Sequence, residues 1–220
     1  MENENNVLCL CGVIEDAPAL DHEVFGEQFF RMNLRVPRLS GAQDLLPVTV
    51  SERLMNSQVA PGVRLCISGQ LRSYNKVVGG AGRLLLTACA QRLLAPEEAE
   101  NPNLIQLTGA ICKPPAFRTT PFGREIADLM LAVNRAFGKS DYIPCIAWGR
   151  TARYAATLQV GEQLRVQGRF QSREYQKQMP DGTVMNRTAY EVSLSRLTCL
   201  RDEAFTPEHA QLEPPPQPLA

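Results

Sequence analysis

Along residues 29–36, Phe30, Met32, Leu34 and Val36 alternate with Phe29, Arg31, Asn33 and Arg35; along 164–169, Leu164, Val166 and Gly168 alternate with Arg165, Gln167 and Arg169. A period of two is the pattern of a strand with one face buried. The stretch IADLMLAVNRAF at 126–137 is ambiguous by itself, because Ile126, Leu129, Met130, Val133 and Phe137 also fall at helical spacing. Between 151 and 161, TARYAATLQVG reads as one short helix ending at Gly161, a residue suited to a helix C-cap.

The chain repeats itself, and the repeat settles the ambiguity. A shift of 97 places lays Phe25-Gly26 on Phe122-Gly123, then Leu34, Val36 and Arg38 on Leu131, Val133 and Arg135, then Asp44 and Pro47 on Asp141 and Pro144. At a shift of 99 Gly62 meets Gly161, Gly69 meets Gly168 and Ser73 meets Ser172. Such a period exceeds the ~20–50 residues of solenoid units and indicates a duplicated domain. The partner of the ambiguous stretch, FFRMNLRVPRL, alternates cleanly and contains Pro37, so both are expected to be strands. Five strands with a helix between the third and fourth describe the small, partly open barrel called the OB-fold. The expected architecture is therefore all-β with short helices. A first, diverged OB-fold spans 5–94, the polar linker APEEAENPN covers 95–103, a second OB-fold spans 104–200, and a Pro-rich disordered tail covers 201–220.

Composition then removes whole classes of function. The 220 residues are 44% hydrophobic and 21% charged, as in ordinary globular proteins. Only His22 and His209 are present, so a His-rich metal centre or a Ser-His-Asp triad has almost nothing to be built from. The seven cysteines show no C-x-x-C pair, and most are expected to be small buried hydrophobes rather than a disulfide framework. No catalytic residue, metal or cofactor is expected. No apolar run reaches the ~18 residues of a membrane span, and the start MENENN is not a signal sequence, so the expected location is the cytoplasm, in association with a bacterial nucleoid.

Charge separates the two repeats. The chain is neutral overall, but residues 104–200 hold 13 basic and 7 acidic groups, whereas residues 1–103 hold 9 and 12. A basic second repeat inside a neutral chain points to a polyanion-binding segment.

In the second repeat, NLIQLTGAI, FRTTPFGREIADLMLAVNR, SDYIPCIAWGR, LQVGEQLRVQGRFQSREY and RTAYEVSLSRL resemble, in order, the barrel of the bacterial single-stranded DNA-binding proteins. GVIEDAP, RLSGAQDLLPV, GVRLCISGQLRSYN and LLLTACAQRL look like a diverged relative of the same barrel in the first repeat. The tandem members of that family are similar, which implies a homodimer, single-stranded DNA as partner, and a role in replication, recombination or repair alongside other replication or repair proteins. The resemblance matches Phe137, Tyr142, Trp148 and Tyr175 to the family's base-stacking aromatics, and Arg150 and Arg173 to basic residues of its binding face.

The residues support that independently. Sequence-independent binding of a single strand needs π surfaces for bases and cations along the phosphates, proteins of this family being themselves a standard instance. Tyr142 and Trp148 lie six residues apart, an even number that places them on one strand face about 20 Å apart at ~3.3 Å per residue. Cations interleave with them: Arg150 follows Trp148, and Arg173 precedes Tyr175. Lys139, Lys177, Arg118 and Arg187 are further phosphate contacts by position, and Asp181-Gly182 reads as the tip of a long hairpin. The first repeat departs here: Leu45, Ser51 and Ser40 stand where Tyr142, Trp148 and Phe137 should be, leaving only Tyr74 and Arg72 for a weaker surface. The tail also lacks the family's usual acidic run with a Pro-Phe tip. These departures keep a second reading open, a primosome- or recombination-type accessory whose barrels mainly bind proteins.

Overall fold

The computed structural model describes residues 5–57, 59–78, 81–95, 103–178 and 182–203; the side chains of 77, 78, 81, 177, 202 and 203 are left aside. The first repeat contributes β1 (Asn6–Ile14), β2 (Ala19–Val24), β3 (Glu27–Pro37), β4 (Gln43–Ser51), β5 (Arg64–Val78) and β6 (Ala81–Leu94). The second contributes β7 (Asn103–Ile111), β8 (Ala116–Thr119), β9 (Glu125–Asn134), β10 (Ser140–Trp148), α1 (Gly149–Ala155), β11 (Gln163–Gln178), β12 (Val184–Cys199) and a terminal turn α2 (Leu200–Glu203). In each repeat five strands close on themselves: β1 pairs with β3 and β5, β5 with β6, β3 with β4, and β4 with β6 in parallel, and the second repeat matches this strand for strand. These are the two OB barrels expected. Each also carries a short exposed strand, β2 or β8, hairpinned onto β3 or β9.

The alternation that predicted the strands is what fills the barrels. Met32, Leu34 and Val36 are buried, and Leu131 and Val133 occupy the matching places, so 126–134 is a strand, as the repeat requires. The helix is shorter than expected, ending at Ala155, because Leu158 turns into the core and Gly161 sits in the turn before β11, its N–H donating to the Ile111 carbonyl. In the first repeat a 3-10 turn at Glu52–Leu54, capped by the Ser51 hydroxyl, takes its place. Two cysteines depart from the expectation for most of them: Cys11 and Cys66, opposite one another on β1 and β5, form a disulfide, while Cys9, Cys89, Cys112, Cys145 and Cys199 are free. Strand register brings together residues 55 apart in sequence, which spacing alone does not reveal. Most of the expected linker and the tail from 204 onward lie outside the described residues, and the tail's first residues are helical, in α2.

β1 and β7 pair antiparallel, joining the barrels into one sheet, with Leu8 opposite Ile105. Those two residues are 97 apart, so the repeat's own shift is a two-fold operation about that point. Asn6 and Asn103 mark the symmetry: their side-chain amides each exchange two hydrogen bonds with the backbone of Leu71 and Phe170, at 2.7–2.9 Å. Each amide stands in for a strand residue where β1 or β7 has run out, which keeps the inner edge of β5 or β11 paired.

Candidate nucleic-acid interface

On β10, Asp141, Ile143, Cys145 and Ala147 point into the barrel, so Tyr142, Pro144, Ile146 and Trp148 form the outer face. Tyr142 and Trp148 are 46% and 38% exposed. The Trp148 indole N–H donates to the Ser193 hydroxyl on β12 at 3.0 Å, which fixes the ring's orientation and places it on the same face as Glu191 and, across the β11–β12 ladder, Arg169, Gln171 and Arg173. Arg173 lies with its guanidinium carbon 5.7 Å from the centre of the Tyr175 ring, a cation–π distance, and 3.5 Å from Glu191. One cleft is lined by Trp148, Arg169 and Arg173 together with Arg38, Ser40 and Gln43 of the first repeat. A larger one, lined by Pro144, Arg173, Tyr175 and Arg187 with Leu84 and Leu85 of the first repeat, continues it along β11. Shared Arg173 makes the two clefts one surface.

The predicted residues fall on it unevenly. Tyr142, Trp148, Tyr175 and Arg173 share the face described; Arg150 is exposed in the first turn of α1, two residues from Trp148. Phe137 and Lys139 project from the turn between β9 and β10. Arg187 faces Tyr175 across the ladder. Arg118 is ion-paired to Asp128 at 2.8 Å on the neighbouring strand. The Lys177 side chain and Asp181 lie outside the described residues. Arg169 was missed, although its outward place in the RVQGRFQSR alternation was the signal that could have found it. Arg38 and Gln43 were missed because only three-dimensional packing brings the first repeat here.

Phe137 is 99% exposed and has φ +59, a left-handed conformation that opposes a side chain by roughly 1–2 kcal/mol. A fully exposed ring gains nothing from burial to offset this. Phe137→Gly should raise the unfolding free energy by about 1 kcal/mol, read in urea denaturation; a loss of stability would show that the ring packs.

Two buried carboxylates tie the repeats together beneath this face. Asp141 accepts from Arg135, from the Arg72 guanidinium at 3.0 Å and from the Ser73 N–H at 2.5 Å, while the Tyr142 N–H donates to the Ser73 hydroxyl at 2.7 Å. At the symmetry-related place Asp44 accepts from Arg38 and Ser172. Burial pushes both carboxyls up, but these hydrogen bonds outweigh it and hold them below the ordinary carboxylate range.

The first repeat, bare at the three equivalent aromatic positions, carries a cleft of its own lined by Arg72, Tyr74 and Lys76, with the His22 ring stacked on Phe29 at 4.9 Å. Among the described residues no group of three or more His, Cys, Asp or Glu could hold a metal, and no helix is long and apolar enough to cross a membrane.

Comparison with known proteins agrees with this geometry. Over 94% of this chain and 96% of the other, the fold superposes on the wild-type single-stranded DNA binding protein from Thermus aquaticus with a TM-score of 0.63, at 22% identity. Single-stranded DNA-binding protein A of Bacillus subtilis is 39% identical over 83 residues, 34% of this chain and 48% of that protein. Single-stranded DNA-binding protein 2 of Listeria innocua is 38% identical over 81 residues, 34% of this chain and 51% of that protein. The chain thus spans about half the length of these curated relatives. Single-stranded DNA-binding protein B of Bacillus subtilis is matched more fully, at 36% identity over 34% of this chain and 74% of that protein. The model of the single-strand binding protein family matches residues 102–200, the repeat that carries the aromatic and basic face. A family match placed on the site itself, and a relative matched over most of its length, show that the chain belongs to the single-strand binding protein family.

Proposed function

We propose that this protein binds single-stranded DNA irrespective of sequence, through the outer face of its second barrel, and covers exposed strands during replication, recombination or repair without catalysis. The observation that supports it is that Tyr142, Trp148 and Tyr175 are exposed on the second barrel, with Arg169 and Arg173 lining the cleft beside Trp148 and Arg150 exposed two residues beyond it. Bases stack on the rings whatever their identity, and the guanidiniums follow the phosphates. Phe137 and Lys139 extend the same path at the β9–β10 turn, with Lys177, Arg187 and Arg118 as outlying cations. In this reading the first barrel spans 5–94 and the binding barrel 104–200, joined by the linker 95–103 and followed by the tail 201–220. Two chains assemble into a cytoplasmic homodimer that presents four barrels and meets replication or repair proteins.

Trp148, the single tryptophan, reports directly. Its fluorescence should be quenched by oligo-dT at low salt and not by duplex DNA. With four phosphates neutralised by Arg150, Arg169, Arg173 and Lys139, the logarithm of affinity should fall against the logarithm of salt with a slope of about −3, at ~0.7 per phosphate. Absence of quenching together with absence of a mobility shift would overturn the reading in favour of a protein-binding accessory.

A further inference from the structure

β11 extends well beyond the strand that pairs its inner edge. β7 covers it only from Gln163 to Gly168, and the Asn103 amide replaces β7 at Phe170. At the next inward-facing residue, Ser172, the partners come from the first repeat. Asp44 accepts from the Ser172 N–H at 2.7 Å and from its hydroxyl at 3.0 Å, and Arg38 donates to the Ser172 carbonyl at 2.7 Å. Arg38 also donates twice to Asp44, at 2.5 and 2.7 Å, closing a ring of hydrogen bonds in which the carboxylate is 1% exposed. Past Ser172 the ladder partners of β11 are on β12 alone. Among the described residues of β11, Ser172 is thus the last whose backbone is hydrogen-bonded to the first repeat, and Arg173 and Tyr175 are the residues that follow.

We infer that Asp44, in the repeat lacking the expected stacking aromatics, is a positioning residue for the binding face of the other repeat. It is buried and reaches no DNA itself; it fixes where the β11–β12 hairpin leaves the barrel, and so where Arg173 and Tyr175 meet a base and its phosphate. Charge suits it to this, because a carboxylate accepts from a backbone N–H, a hydroxyl and a guanidinium at once, and hydrogen bonds to ionised groups are the stronger kind. The first repeat serves the site in this way without stacking a base. Its Ser73 does the same for Tyr142.

The inference rests on the proposed strand binding, and the test separates the two. The full chain and its Asp44→Asn variant are titrated with oligo-dT by Trp148 quenching and mobility shift, and unfolded in urea in parallel. Asp44→Asn should bind about tenfold more weakly, within the range of one poorly stacked base. In combination with Arg173→Ala and Tyr175→Ala together it should cost nothing beyond that pair, whereas with Tyr142→Ala, on a strand held by Ser73, the two losses should multiply. Coupling to the hairpin alone is what a general loss of stability would not produce. If Asp44→Asn does not fold, Ser172→Ala, which removes only the hydroxyl donor, is read by the same cycle with a loss of about threefold. Unchanged affinity, or losses that multiply in both combinations, would overturn the positioning role while leaving strand binding intact. A wild type that neither quenches nor shifts would remove the site itself, and both readings with it.

Discussion

Replacing Asp141 by alanine is expected to lower the unfolding free energy by about 3–5 kcal/mol, the largest stability effect of any single substitution on the binding barrel considered. The carboxylate is 0% exposed and is the common acceptor of Arg135, Arg72 and the Ser73 N–H. Its removal leaves two guanidiniums, themselves about 30% exposed, facing each other without a counter-charge, and a backbone N–H without an acceptor. Urea denaturation near neutral pH measures this, and a loss under about 1 kcal/mol would show that the arginines simply turn to solvent.

The acid limb supplies a second readout of the same pair of sites. Burial raises the Asp141 carboxyl, but Arg135, the Ser73 N–H and Arg72 lower it further, so its folded value lies below that of the unfolded chain; Asp44 behaves alike through Arg38 and Ser172. A group depressed in this way contributes fully above the ordinary carboxylate value of about 3.9, and its contribution is lost as pH falls from there through the folded value. The wild type should therefore lose urea resistance as pH falls from about 4 toward 2, and Asp141→Ala should lose less over the same interval. An identical slope in the two proteins would mean that Asp141 is not held ionised by the fold.

How much of this was legible beforehand follows from how local each relation is. Alternation is local, and it gave the strands and the outward placing of Tyr142 and Trp148 correctly. The internal repeat is a longer relation but still lies along the sequence, and it decided 126–134 as a strand against its helical spacing. It even displayed Arg38 and Asp44 matched to Arg135 and Asp141. What it did not display is the target: Asp44 binds Ser172, 128 residues away, and only the two-fold packing about Leu8 and Ile105 brings them together. The Cys11–Cys66 bond was hidden for the same reason, since strand register rather than spacing makes them neighbours. The left-handed Phe137 was hidden because φ is set by the turn that joins β9 to β10, and nothing in the residue type demands it. Arg169 is the exception, a residue whose outward place was plain in the alternation but was not connected to the binding face.

Substituting Tyr142, Trp148 and Tyr175 together by alanine should reduce affinity for oligo-dT by at least roughly a hundredfold, the largest binding effect expected. Stacking on an aromatic side chain contributes about 1–3 kcal/mol per base, so three lost platforms cost about 3 kcal/mol even at the lower bound. Because Trp148 is gone, binding is followed by the anisotropy of a labelled oligonucleotide. All three rings are more than a third exposed, so the variant should unfold close to the wild-type midpoint, and weak binding would not reflect an unfolded chain. The salt slope separates this loss from a loss of charge. With Arg150, Arg169, Arg173 and Lys139 still present, the triple variant should keep the wild-type slope at much lower affinity, whereas Arg150→Ala with Arg173→Ala should flatten it by roughly 1.4. Were the triple variant to bind as the wild type does, the strand would be held by phosphate contacts alone. Arg173 over Tyr175, which puts a cation and a ring at one point of the path, is the reason to expect both contributions from the same surface.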